Sequence, residues 1–175
     1  MTGTARRRIA ATFAAATLAV AGPAQAAGAP CWDSASMGAA RISELNTMLM
    51  VSSLRCRLVG VDLRPAYERV SALYGQAFQA AEARIKAHFG GADHTDSRDD
   101  YDSYVVGVAN YYGSGRSDPA TCQAFASIQQ TLAETSANLD RLATLAIQLV
   151  RDPQVRGGRC PVAGGSVNQR VATKR

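Results

Sequence analysis

His88, Asp93, His94, Asp96, Asp99, Asp100 and Asp102 fall within 15 residues of one another. Imidazole and carboxylate together suit divalent metals. Their spacing does not match a calcium loop, which needs alternating oxygen ligands followed by glycine. It also lacks two histidines one helical turn apart, the zinc pattern on a helix. The competing reading is a helix start, where Asp and Ser cap free N–H groups and favour the positive dipole end. His88 would then sit at the end of the preceding helix, where a cation suits the dipole. No metal or other cofactor is assigned. His88, His94 and Asp96 are the metal candidates.

Other chemistries find less. Cys31, Cys56, Cys122 and Cys160 contain no CxxC pair, so thioredoxin-like exchange and covalent haem lack their motifs. A non-covalent haem would need Met37 or Met48 with His88, but Met in a helical stripe is ordinarily packing. No G-x-S-x-G elbow is present, and two histidines in one region offer few general bases. Asp99 and Asp100 are adjacent, so they diverge on a helix. No Walker loop occurs, and Gly113-Ser114-Gly115 reads as a helix terminus. The sequence names no catalytic residue.

Six tyrosines are the remaining chemistry. Tyr67, Tyr74, Tyr101, Tyr104, Tyr111 and Tyr112 all fall in two successive helical patterns. Each ring has an apolar body and a hydroxyl that seeks a partner. They line either a ligand groove or a core with its hydroxyls at the rim. Arg64, Arg69 and Arg84 could add anion contacts, or act as surface charges of the Arg64–Glu68 type.

The elements that position these residues start with a targeting segment. Arg6, Arg7 and Arg8 precede a 13-residue uncharged run, Ile9 to Ala21, and Ala24-Gln25-Ala26 is a small-x-small cleavage signal. That run is too short to span a bilayer, which takes ~20 helical residues. Residues 1–26 are therefore expected to be a cleaved signal peptide, with the mature chain periplasmic or secreted. Pro30 before Cys31 argues against lipidation, and no later stretch is apolar enough to span.

Charge then changes meaning. The full chain carries +5, but residues 27–160 hold 13 basic and 14 acidic side chains. The basic excess belongs to the leader and to a Gly/Ser/Val-rich tail, residues 161–175, expected to be disordered. A nucleic-acid surface is not supported.

Residues 27–160 read as one all-α domain, because helical period dominates. Helix 1 is expected over about Ser34–Leu58, with Ile42, Leu45, Met48, Leu49 and Cys56 as its stripe and Gly60 as its stop. Helix 2 starts near Asp62 and ends at Gly90-Gly91, its stripe running Tyr67, Val70, Tyr74, Phe78, Ala81, Ile85 and Phe89. Helix 3 opens at Ser97 with a capping-box-like Asp100 and closes at Gly113. Helix 4 runs from the Asp118-Pro119 cap to Asp152-Pro153. Its stripe is Phe125, Ile128, Leu132, Thr135, Leu139, Leu142, Ala146 and Leu149. Short connections make successive helices antiparallel neighbours, giving an up-down-up-down four-helix bundle.

Reach selects the disulfides. Cys31 and Cys56 lie at opposite ends of helix 1, ~30 Å apart. A bridge needs Cα atoms within ~7 Å. Cys122 lies ~42 Å up helix 4 from Val150, whereas ten extended residues to Cys160 reach ~35 Å. Cys31–Cys160 and Cys56–Cys122 remain, one at each pole.

Cys31-Trp32, the run Met48–Cys56, and Tyr111-Tyr112-Gly113 with Cys122 resemble a group of small exported α-helical proteins of α-proteobacteria. The resemblance covers about residues 31–160. It implies a periplasmic helical domain and transfers no catalytic residue. The function expected is a non-enzymatic exported module binding an envelope protein or small ligand. The alternative is a small periplasmic helical enzyme or metal-handling protein using the His88–Asp102 region.

Overall fold

The computed structural model describes residues 31–90, 95–134 and 136–161, the side chains of residues 95–97 apart. The expected signal peptide, the tail beyond residue 161, His94 and the Asp96 side chain lie outside the described residues. The described residues form five α-helices: α1 Ser34–Cys56, α2 Arg64–His88, α3 Thr95–Gly113, α4 Pro119–Ala133 and α5 Leu139–Leu149. Among the described residues there is no strand, only an isolated bridge between Trp32 and Arg159. Among the described residues no helix is long and apolar enough to cross a membrane.

Local chemistry sets most boundaries. Asp33 caps α1 by accepting the Ser36 N–H at 2.8 Å. A 3-10 turn, Arg57–Val59, follows α1, and Gly60 ends it in the left-handed region at φ 82°. Pro65 stands in the first turn of α2, where its missing N–H costs nothing. Asp118 caps α4 by accepting the Thr121 N–H at 2.9 Å. The expected rows of α2 hold: Val70, Tyr74, Phe78, Ala81 and Ile85 are all buried.

Helix α1 is the hub. It packs on each of the other four helices and most extensively on α2. It therefore buries more than one stripe, adding Met37, Ala40, Glu44 and Ser52 to the expected Leu45, Met48, Leu49 and Cys56. One core cluster joins Leu45, Leu49, Tyr74, Leu132 and Leu142, and another joins Trp32, Ala40, Ile85, Tyr104 and Val108. Arg55 fastens α1 to the end of α3 by donating to the Tyr112 carbonyl at 2.8 Å and to that of Gly115. A Cβ at Gly115 would meet that guanidinium at 2.9 Å, so glycine permits the approach.

Both disulfides join the expected partners. Cys31 bonds Cys160 and Cys56 bonds Cys122, with Cα separations of 4.8 and 5.5 Å.

The fourth expected helix is two helices. The chain leaves helix after Ala133 and restarts at Leu139, with Asn138 accepting the Arg141 N–H at 2.9 Å. Leu142 and Ala146 of the expected row are buried, whereas Leu139 is 61% exposed and Leu149 is exposed too, and Val150 joins the buried row. The break is held from α2: the Tyr74 hydroxyl accepts the Asn138 backbone N–H at 3.2 Å. Tyr74→Phe leaves that donor unpaired beside a buried ring. We expect a loss of about 1 kcal/mol in urea unfolding. An unchanged midpoint would show that water caps the break equally well.

Candidate functional site

The site begins with a charge in an unusual place. Glu44 lies on the α1 row Ala40–Glu44–Met48 and is fully buried, at 0% exposure. Three donors converge on it. The Tyr104 hydroxyl gives a hydrogen bond to Oε1 and the Tyr112 hydroxyl one to Oε2, each at 3.2 Å. The backbone N–H of Gln154 donates to Oε1 at 2.7 Å. Desolvation outweighs these bonds and a nearby Arg41, and pushes the carboxyl up to about 7. Desolvation, with the Glu44 charge behind it, also raises both tyrosine hydroxyls well above their ordinary value, so they stay donors.

Glu44 ties a non-helical strap, residues 150–160, to the helices. Arg41 Nε donates to the Val150 carbonyl at 3.2 Å. Trp32, 1% exposed, grips the strap from the other side. Its indole N–H donates to the Arg156 carbonyl at 2.7 Å, and its backbone exchanges bonds with Gly158 and Cys160 at 2.9 and 3.0 Å. The Cys31–Cys160 bridge closes the same junction covalently. The Trp32 ring stacks on His88 with centroids 3.8 Å apart. Burial lowers the basicity of His88, which favours the neutral ring against the indole.

Strap, α2 and α3 together wall a cavity of about 490 Å³. His88, Phe89, Asp100, Ser103, Tyr104 and Arg156 line it. Size and mixed lining are those of a small-molecule site. The side chains of Asp100 and Arg156 form no ion pair among the described residues. A second hollow of about 350 Å³ opens between α1, α2 and α3, with Tyr101 and Tyr104 among its lining. Tyr104 thus borders both.

The six tyrosines separate. Tyr104 and Tyr112 meet at Glu44. Tyr101 donates to Glu82 at 2.9 Å, Tyr67 donates to Asn46 at 3.1 Å, and Tyr74 holds the α4–α5 break. Tyr111 is 54% exposed, edge-on to Tyr112. Of the metal candidates, His88 is committed to the Trp32 stack, and no cluster of three ligating side chains occurs among the described residues. Arg84 reaches Asp33 at 2.6 Å and Arg64 pairs with Glu68 at 3.9 Å, both on the surface.

Sequence reasoning missed Glu44 and Trp32. A carboxylate in step with Met37, Ala40 and Met48 was the available signal for the first. Chemically, Glu44 can exchange a proton near neutrality, but it lines neither cavity. Its contacts make it a positioning residue for the strap. The chain matches no protein-family model, no curated protein and no solved structure.

Proposed function

We propose that this chain is an exported, non-enzymatic binding module, of the kind its resemblance to small exported α-proteobacterial proteins implies. Its small-ligand site is the cavity between α2, α3 and the strap. One observation carries the reading: a cavity of about 490 Å³ bears the Asp100 and Arg156 side chains, which form no ion pair among the described residues, beside Phe89 and Tyr104. Polar groups set orientation in such sites and aromatic walls supply contact area. The strap that closes it is held by a disulfide, an indole and a buried carboxylate, which favours a preformed site.

Two disulfides support an oxidising compartment, because cytosolic thiols are kept reduced. With the leader read at residues 1–26, that compartment is the periplasm or the medium. The accompanying architecture is an up-down-up-down bundle whose fourth rod is α4 and α5 together. The Tyr67–Asn46 and Arg84–Ser36 bonds support α2 running against α1. The mass of protein recovered from its own envelope tests export. Residues 27–175 less four hydrogens are expected; an intact leader or free thiols would refute it.

Trp32 is the sole tryptophan, so its emission reports on the His88 wall. Compounds from a small-molecule library that enter the cavity should change that emission. Gly107 lines the same cavity, and a Cβ there meets nothing within 4 Å. Gly107→Phe should therefore fill the space, keep the helix and abolish the response. A library without a responder, or responses that survive in the variant, would refute the site.

A further inference from the structure

The hollow between α2 and α3 has a different chemistry, and we propose that it binds a neutral polyhydroxylated ligand of the saccharide class. The assignment uses other walls than the strap cavity, shares only Tyr104 with it, and does not depend on it. Helix α1 packs on both α2 and α3, whereas α2 against α3 is not among the main helix pairings. The space left is about 350 Å³.

Its floor is polar where a hub helix would ordinarily be apolar. Ser43, Asn46 and Thr47 of α1 are all half-buried there, facing Gln79 and Glu82 of α2 and Tyr101 of α3. Their hydrogen bonds leave a defined set of open positions. Asn46 Oδ1 accepts from Tyr67, while its amide Nδ2 has no protein partner among the described residues. The Thr47 hydroxyl donates to the Ser43 carbonyl at 3.1 Å, so its oxygen can still accept. Tyr101 and Lys86 both donate to Glu82 Oε1, at 2.9 and 2.7 Å, and Oε2 has no hydrogen-bond partner among the described residues. Gln79 is exposed at the rim and offers both donor and acceptor.

Half-buried donors without partners lose free energy unless a ligand or water fills them. Alternating donors and acceptors match vicinal hydroxyls, each of which gives one bond and accepts others. Phe78 and Tyr101 add ring surface for the C–H side of a sugar. Charge argues against other ligands. Among the described residues no Lys or Arg lines the hollow, which disfavours an anion. Glu82 is already paired with Lys86, so a cation gains little.

The test is an amide chemical-shift titration of the intact, oxidised protein. The probes are maltose, N,N′-diacetylchitobiose and, as charged counterpart, glucuronate. Both neutral disaccharides should move the signals of residues 43–47, 78–82 and 101–108 saturably. Glucuronate should bind more weakly by about tenfold, the effect of one unfavourable charge contact. Asn46→Leu and Gln79→Ala should each weaken the neutral ligands by about tenfold, one hydrogen bond's worth. Gln79 lies at the surface, so its variant keeps the fold and isolates the contact. Four results would overturn the proposal: no saturable shift, glucuronate binding as tightly, affinity unchanged in both variants, or shifts confined to the strap cavity at residues 153–156.

Discussion

Replacing Cys56 and Cys122 together by alanine should lower the unfolding free energy by about 4 kcal/mol. The bridge spans 66 residues of sequence, and the chain-entropy model assigns about that much to such a loop. Both sulfurs are buried with Leu63 at the pole where α1 ends and α4 begins, so lost packing adds to the entropic term. The Cys31–Cys160 bridge spans 129 residues and should contribute about 5 kcal/mol by the same model. Together these approach the whole stability of a typical domain, roughly 5–15 kcal/mol. Full reduction is therefore expected to leave the chain largely unfolded at body temperature. The two variants should differ in where they loosen. Without Cys31–Cys160, hydrogen exchange should quicken along residues 152–160 before the helices, because Trp32, Glu44 and Arg41 then hold the strap by hydrogen bonds alone. Urea unfolding of the two double-alanine variants measures the effect. A loss under 1 kcal/mol in either would mean that helix packing already constrains the unfolded chain.

Glu44 should make the protein less stable as pH rises toward neutrality, the reverse of most carboxylates. Its folded-state value, about 7, lies above the ordinary 4.5 because burial disfavours the anion. The folded state therefore holds the proton more tightly than the unfolded state. That contribution is complete below pH 4.5 and is lost as pH rises through about 7. At about 1.4 kcal/mol per pK unit, the change between pH 5 and pH 8 is about 2 to 3 kcal/mol. Asp33, Glu82 and Asp118 act oppositely. Hydrogen bonds from the Ser36 N–H, Lys86 and the Thr121 N–H, respectively, are the main lowering influences, and their stabilisation is lost only as pH falls below the ordinary carboxylate range. Glu44→Gln keeps the shape and cannot ionise. Its stability relative to the wild type should rise by about 2 to 3 kcal/mol between pH 5 and pH 8. Equal pH profiles would show that the carboxyl titrates normally. Glu44→Leu should be destabilised at every pH, because two hydroxyls and the Gln154 N–H lose their acceptor.

What the sequence by itself determined is what short-range chemistry controls. Asp33, Gly60 and Asp118 set helix ends through their own side chain or backbone freedom. Rows such as Val70–Tyr74–Phe78 announce one buried face through helical period. The disulfide pairing followed from covalent reach, since two ends of one rigid helix cannot touch. Only the tertiary structure decided the rest. One stripe was legible on α1, but a hub helix buries several, and a single Glu44 carries no period to reveal its burial. At the α4–α5 break the Asn138 N–H finds its acceptor in Tyr74, 64 positions away. The tyrosines stood out by type, yet their roles were set by which partner each hydroxyl reaches. Both cavities arise where neighbouring elements fail to close against each other, which no single element's sequence encodes.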